Sequence, residues 1–518
     1  MDYDIAIIGG GLGGISAAIA SARNGKKVFL SEETYMIGGQ VTSQAVPPDE
    51  HPYIEKYGRT DLYHEYRQLV RRYYKDYYPV NIKDSDKINP GNAWVSEISH
   101  EPVVSWRVLQ SMLHPYIVAG LIDLHLDTRP IAAHVEADEI QFVVMENKER
   151  TFEVQAKYYL DATELGDLLP LTNTEYVTGS ESKEVTGELH AHEFNDPNDM
   201  QAITWCFAVS FEKEGNYTID KPKLYDYFKE HRSDFWPGSQ LSWTYVEPHT
   251  LNPINGSIRQ ESGKVNLFNY RQILDKDNFK KDFFNSNITL VNWPQNDYWL
   301  GPIINRDGIV NKSHMYMAKE LSKSFLYWLQ TEADGIGYPN LKLRGDVTGT
   351  KDGFALRPYI REGRRIVSQF TVLESHIGAK MLEGSKAIQF KDSVGLGHYH
   401  LDLHPSTGQR TYIDIKSYPF QIPMGALIPI RTKNLIPAAK NIGTTHITNG
   451  TYRLHPVEWN IGESAGMMAV YAISHNIELH EILNSRHLKK FQDFIQSQGI
   501  QIVWPEWILE KEGEKKWD

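Results

Sequence analysis

The stretch that most constrains this chain is residues 4–32, DIAIIGGGLGGISAAIASARNGKKVFLSE. Residues 4–8 read as a short buried strand. Gly9, Gly11 and Gly14 then supply the spacing G-x-G-x-x-G, and residues 15–24 continue as a helix of small residues. Gly25 fits the turn after that helix, and residues 27–31 form a second apolar strand that ends at Glu32. The first glycine makes the turn, the second lets a pyrophosphate approach the backbone, and the third lets helix and strand pack closely. Phosphates would sit on the free N–H groups and positive dipole end of the helix. Glu32 lies 23 residues after Gly9, where a carboxylate can hydrogen-bond both hydroxyls of an adenosine ribose. A glycine triplet alone is a weak signal. With a strand before it, a helix after it and a terminal acid, it predicts a dinucleotide site lined by Gly9, Gly11, Leu12, Gly13, Gly14, Glu32 and Glu33.

The chain of 518 residues is long enough for two domains built from interleaved segments. A net charge of −12 argues against a general nucleic-acid binder, which needs a basic footprint. The single cysteine, Cys206, excludes an intramolecular disulfide, a C-x-x-C redox pair and a cysteine metal site. Cys206 lies in the apolar run ITWCFAV and reads as an inert buried thiol. No stretch approaches about 18 continuous apolar residues, and the first strand begins within four residues of Met1. The expectation is a cytoplasmic enzyme with no membrane partner and no targeting segment.

Residues 61–78 carry Leu62, Tyr66, Leu69, Tyr73 and Tyr77 at helical spacing. Arg67, Arg71, Arg72 and Lys75 on that helix are most simply a solvated face; a substrate-facing basic helix is the alternative. A second helix is expected over 105–119 and a strand over 122–126. Alternation in 140–145 and 151–154 predicts an antiparallel excursion, and residues 158–160 form a short strand ending at Asp161-Ala162-Thr163. From about 181 to 345 the pattern dissolves into mixed strands, loops and one clear helix, 312–331. The last buried strand falls at 435–439, and Pro456 suits the first turn of a helix over 457–474 with Gly462, Ala465, Gly466 and Ala469 permitting close packing. The tail past Gly499 reads as a surface helix. The expected fold is α/β: a discontinuous Rossmann-type domain, with a parallel sheet and an antiparallel excursion, plus a mixed α+β substrate domain. The boundaries are 1–180 and 346–480 for the nucleotide domain, 181–345 for the cap and 481–518 for a helical tail.

Taken together, these pieces resemble the FAD-dependent oxidoreductase family within the glutathione-reductase-like flavoproteins. The resemblance covers both ends and the Asp161 region, roughly half of the chain. It rests on Glu32 followed by Gly38-Gly39, on Asp161-Ala162-Thr163, and more loosely on Tyr399, Leu401, Asp402 and His404. Its strongest part is Ile422-Pro423, Leu427-Ile428-Pro429, Asn434-Leu435, Thr445-His446, Gly450-Thr451 with Arg453, and Gly462 to Gly466. Many relatives have Ala-Gly-Arg where this chain has Ala439-Lys440-Asn441. The resemblance implies FAD, held by the glycine turn and Glu32 together with Gly38, Gly39, Gln40, Thr42, Ala133, Ala162, Thr163 and Asn441. It also implies that Thr451, Tyr452, Arg453 and Leu454 meet the flavin ring, where a helix N-terminus stabilises the charge of reduced flavin. No second G-x-G-x-x-G follows a strand: Gly395-Leu396-Gly397 and Gly335-Ile336-Gly337 are both expected in loops, which leaves no site for NADPH.

The expected function is therefore an FAD-dependent oxidoreductase that oxidises C–H next to N or O in a small organic substrate by hydride transfer to flavin N5, and passes the electrons to oxygen or another acceptor. A flavin mono-oxygenase or halogenase with a separate reductant, and a non-catalytic flavin-binding scaffold, are the alternatives. His446 and His455 flank Arg453 and are the candidate catalytic residues with it: either histidine can accept a proton near neutral pH or serve only as a structural donor. Arg453 can hold a substrate carboxylate through its planar fork, stabilise reduced flavin, or pair with Glu458. Arg361, Glu362, Arg364 and Arg365 read as helix neighbours that pair with one another. No metal is expected: the spacing of His398, His400, Asp402 and His404 matches no known site, and His190, His192 and Glu193 are weaker still. The aromatic groups at 235–236, 243–245, 293 and 298–299 read first as core, and second as a flat pocket over the flavin.

Overall fold

The computed structural model describes residues 2–81, 87–262, 264–304, 308–382 and 386–514. Strand β1 (Asp2–Ile8) leads through the glycine turn into helix α1 (Leu12–Arg23) and strand β2 (Val28–Ser31). β1 is apolar throughout its second half because both faces are covered. Ile5 and Ile7 point into the main core, and Ala6 and Ile8 into a second cluster with Phe29, Val143 and Tyr159. This is the period of two expected for a doubly buried strand. Helices α2 (Asp61–Tyr77) and α3 (Pro102–Val118) follow, and β3 (Ile122–His125) adds to β2 in parallel. A hairpin of β4 (Arg129–Glu136) and β5 (Glu139–Glu146) then leads into β6 (Thr151–Asp161).

β6 joins two patterns. Its first residues, Thr151 to Val154, pair antiparallel with β5, and the rest runs parallel to β1. The two short strands expected at 151–154 and 158–160 are thus one strand of 11 residues. Leu435–Pro437 pairs with β6 in parallel, so the core order is β3-β2-β1-β6 and then the late strand. The last long helix, His455–His475, lies directly on α1. A Cβ on Gly462 would stand 2.0 Å from the Gly13 carbonyl oxygen, so only glycine lets the two helices approach this closely.

The middle of the chain contributes an antiparallel sheet in the order Gln272–Leu274, Ile288–Val291, Phe207–Phe211, Leu341–Leu343, and the helix Gly308–Thr331. Phe207, Val209, Leu290 and Phe325 belong to the same apolar cluster as Ile5 and Ile7, so one core runs through both regions. The helix expected at 312–331 starts four residues earlier, and the tail forms the helix Glu506–Glu514, with Ile508 and Leu509 inward.

Three expectations change. Arg67 and Arg71 are not solvated: Arg67 binds Glu50 through Nε at 2.9 Å and Nη2 at 3.1 Å, and Arg71 reaches Glu55 at 2.6 Å. Only the tertiary fold brings the 50–55 loop over that helix; Arg72, one position on, stays exposed beside Asp76. Residues 361–365 form no helix, since Arg365 opens the two-residue strand Arg365–Ile366. Arg365 does pair with Glu362, but Arg361 reaches Asp297 and Arg364 reaches Asp167. Gly395 and Gly397 lie in a strand, Ser393–Gly397, paired with Phe420–Pro423, where a Cβ on Gly397 would strike the Phe420 ring. Glycine there serves contact rather than a turn.

Candidate functional site

A cavity of about 420 Å³ opens at the carboxyl ends of β1, β2 and β6, and Gly9, Gly11, Glu32, Glu33, Ala162 and Thr163 are among its walls. This is the crevice in which an open parallel sheet holds its ligand. Gly9 adopts φ +109°, and a Cβ there would stand 2.2 Å from the Ala162 carbonyl oxygen, so the turn and the end of β6 require each other. Helix α1 has glycine at its N-cap and no side-chain cap. In its first turn, Gly13 N–H donates to Glu458 Oε1 at 3.4 Å. Glu32 is buried at the tip of β2. Its Oε2 accepts from Gly10 N–H at 3.1 Å and its Oε1 from Thr34 N–H at 3.0 Å. Burial and the neighbouring Glu33 charge push its carboxyl up to about 8. Glu33 itself meets Arg357 at 2.9 Å.

The remaining predicted residues arrive from several directions. Gly38 N–H donates to the Gly10 carbonyl at 2.8 Å, which seats the Gly38-Gly39 turn on the glycine loop. Gln40 donates to the Arg453 carbonyl at 3.0 Å and to Glu458. Thr42 turns its hydroxyl to the Ile37 carbonyl. Asp161 accepts from Thr163 and Leu168, and burial raises it to about 7. Asn441 donates to the Asp161 carbonyl at 3.0 Å. Thr451 and Tyr452 spend their hydroxyls on the carbonyls of Tyr399 and Gln421, and Leu454 is the N-cap of the helix His455–His475. Ala133 sits in mid β4 against the second apolar cluster, while Thr128, Arg129 and Pro130 are the residues of that segment at the cavity.

Lys440 has Glu164 as its salt-bridge partner and Glu458 at 3.9 Å. Burial alone would lower its ammonium; the two carboxylates outweigh that and raise it.

The candidate catalytic residues separate into two groups. His446 and Arg453 bracket the helix His446–Tyr452, about 10 Å apart along its axis. His446 Nδ1 meets Glu362 Oε1 at 2.9 Å. Arg453 donates to Tyr359 OH at 3.1 Å and to Asp402 Oδ2 at 2.9 Å, and Glu458 pairs with Lys440 instead. His455 is parallel to the Tyr359 ring at 6.5 Å, and its Nδ1 accepts from Asp49 N–H at 3.0 Å. Burial lowers the imidazole to about 4, so it is neutral with its proton on Nε2.

Around Tyr359 stand residues that the sequence did not single out together. Arg361 donates to Asp297 Oδ1 at 3.1 Å. Asp297 Oδ2 meets His404 Nδ1 at 2.7 Å, and His404 Nε2 lies 3.7 Å from Asp402 Oδ1. Burial pushes Asp297 up, but Arg361 and His404 outweigh it and hold the carboxyl below its ordinary value. Burial, assisted by Arg361, lowers His404. An ionised Asp297 therefore fixes the Nδ1–H tautomer and leaves a lone pair on Nε2. Arg271 meets Asp49 at 2.7 Å and 3.3 Å. Nε of Arg271, Arg361 and Arg453 is buried without a hydrogen-bond partner. Each such donor costs about 1–3 kcal/mol.

A family model described as FAD dependent oxidoreductase matches residues 4–495. The chain belongs to this family. FAD is its cofactor, and its chemistry is redox. No curated protein matches. Among solved structures, the chain is similar to L-proline dehydrogenase from P. horikoshii, with 16% identity over 35% of this chain and 24% of that one, at TM-score 0.18. It is similar to the myxobacterial chondrochloren halogenase, with 16% identity over 42% and 45%, at TM-score 0.23. It is also similar to a geranylgeranyl bacteriochlorophyll reductase-like protein from Thermoplasma acidophilum, with 11% identity over 99% and 92%, at TM-score 0.30. The chain thus spans about a quarter of the dehydrogenase and under half of the halogenase.

The donor set of the cavity suits the family's cofactor. It combines a glycine cradle that side chains would fill, a helix start without a side-chain cap and a buried acid at the tip of β2. Cys206 is fully buried and its thiol is pushed up to about 12 by that burial, which makes it inert. Among the described residues no helix is long and apolar enough to cross a membrane, and no group of three or more His, Cys, Asp and Glu can hold a metal ion.

Proposed function

We propose that this enzyme oxidises a C–H bond next to nitrogen or oxygen in a small organic molecule and passes the electrons to oxygen or another acceptor. When bound, FAD supplies the oxidant, a hydride acceptor at N5. In this reading Glu32 takes the adenosine ribose, with Glu33 beside it. The amides of Gly11, Leu12, Gly13 and Gly14 and the Gly38-Gly39 turn receive the pyrophosphate. Gln40, Thr42, Ala162, Thr163 and Asn441 border the ribityl chain, and Thr451 to Leu454 meet the ring. Residues 1–180 and 346–480 form the cofactor domain and 181–345 the substrate cover.

The observation that carries the catalytic part is the Asp297–His404 pair. Oxidation of an alcohol or amine releases a proton as well as a hydride, and the proton needs a base. His404 offers a lone pair on Nε2 and has its other nitrogen oriented by a buried carboxylate. His455 spends its acceptor nitrogen on the Asp49 amide, which supports a donor role. His446 lies one helix length from Arg453 and supports a structural one. Arg453, held by Asp402 and Tyr359, binds substrate beside His404.

The test is anaerobic mixing of the FAD-loaded enzyme with alcohols, hydroxy acids, sugars and amines, followed by flavin absorbance. Bleaching by one of these classes is expected. A flavin that stays oxidised with all of them, while the enzyme consumes oxygen only with an added reductant, overturns the proposal in favour of mono-oxygenase chemistry.

A further inference from the structure

We infer that the cluster around Tyr359 recognises a neutral polyhydroxylated molecule, a sugar or cyclic polyol, rather than a carboxylate or an amine. The inference rests on the oxidation proposed above and adds the class of its substrate.

Charge comes first. Arg453 has Asp402 at 2.9 Å, Arg361 has Asp297 at 3.1 Å, and Arg271 has Asp49 at 2.7 Å. Three cations meet three carboxylates. A substrate carboxylate would have to displace one of these acids from its arginine, and a substrate ammonium finds no carboxylate here without a cation beside it. A charged ligand gains little from a constellation already neutralised from within.

The cluster instead keeps hydrogen-bonding capacity without net charge. Three buried N–H donors have no partner: Nε of Arg271, Arg361 and Arg453. Two of them stand beside one phenol, together with His455. Arg453 reaches Tyr359 OH at 3.1 Å, the Arg361 guanidinium carbon is 5.1 Å from the Tyr359 ring centre, and His455 lies parallel to that ring. Arg271 joins through Asp49, whose backbone N–H donates to His455. On the acceptor side, Asp402 Oδ1 has His404 only at 3.7 Å, and the Asp402 side chain keeps 16% of its surface exposed. A hydroxyl both accepts from such N–H groups and donates to such an oxygen. Several adjacent hydroxyls use donors and acceptors together, which a single carboxylate or ammonium cannot. The packing next to His404 is aromatic: the Tyr412 ring lies 5.3 Å from the His404 ring, and Trp236 follows at 6.2 Å from Tyr412. An aromatic neighbour suits the C–H side of a sugar ring.

The experiment uses the FAD-loaded enzyme with D-glucose, myo-inositol, D-gluconate, L-lactate and sarcosine. Binding is read by ligand-observed NMR and reduction by anaerobic flavin bleaching. Gluconate carries a chain of hydroxyls together with a carboxylate, so it tests the charge on a polyol in its open-chain form. A neutral polyol is expected to bind and to bleach the flavin at least about tenfold faster than gluconate, lactate or sarcosine. Asp402→Asn is expected to weaken polyol binding about tenfold with FAD content unchanged. Faster bleaching by lactate or sarcosine overturns the polyol assignment and leaves the oxidation standing. Polyol binding without bleaching supports the recognition and overturns the oxidation. Neither binding nor bleaching across the panel overturns both.

Discussion

The glycine-turn cavity and the Tyr359 cluster are built by opposite means. The cavity is made largely of backbone: a turn at Gly9, the start of α1 and the ends of three parallel strands. Its decisive residues fall in three short runs, 9–14, 32–39 and 161–164. The cluster is made of side chains from six separate segments, contributing Asp49, Arg271, Asp297, Tyr359 with Arg361, Asp402 with His404, and Arg453 with His455. A backbone site tolerates variation around it, because any sequence that makes the turn presents the same amides. A side-chain site depends on every partner, since removing one leaves another buried and unpaired.

The comparison can be broken most sharply at Asp297. Asp297→Asn removes the carboxylate that orients His404, and substrate-driven flavin reduction should fall about 10²–10⁴-fold while FAD content is unchanged. Stopped-flow absorbance and the flavin-to-protein ratio read the two quantities. His446→Ala in the same assay should change the rate far less, and an equal loss would move the base to His446. At the cavity, Glu32→Ala should weaken FAD retention by about 10- to 100-fold, the loss of two hydrogen bonds to the ribose hydroxyls; equilibrium dialysis against FAD measures it, and undiminished affinity would remove Glu32 from the site. Gly462→Ala should cost about 1–3 kcal/mol of stability, as overpacking between α1 and the last long helix, checked by denaturant unfolding of the loaded enzyme.

The smallest effect concerns pH. Glu32 at about 8 and Asp161 at about 7 stand above ordinary carboxyls because of burial. The folded chain therefore binds more protons than the unfolded chain between the ordinary carboxyl range and those values. The contribution of these groups to stability is complete in acid and is lost as pH rises through 7 and 8. Unfolding of the FAD-free protein at pH values spanning that window should show stability decreasing upward, and FAD binding at Glu32 should alter the slope.

Much of the opening βαβ unit was legible because local pattern sets the backbone there. Gly9 carries a positive φ and a close approach, and both are demands that only glycine meets. Ile5 to Ile8 announce a strand covered on both faces. Misreadings arose wherever a partner came from far away. Arg67 and Arg71 looked solvated because nothing nearby in sequence indicates Glu50 and Glu55. Residues 361–365 looked like mutually paired helix neighbours because Asp297 is more than sixty positions distant. His404 stood among histidines with no readable role until Asp297 was placed against its Nδ1.

By itself, the sequence determined the βαβ opening, the family and the cofactor, since a turn, an amphipathic period and a terminal acid act through neighbours in the chain. Only the tertiary structure decided which cations are neutralised, which buried donors are left over and which histidine keeps a free lone pair. Those are properties of burial and pairing, and burial exists only once distant segments have packed together.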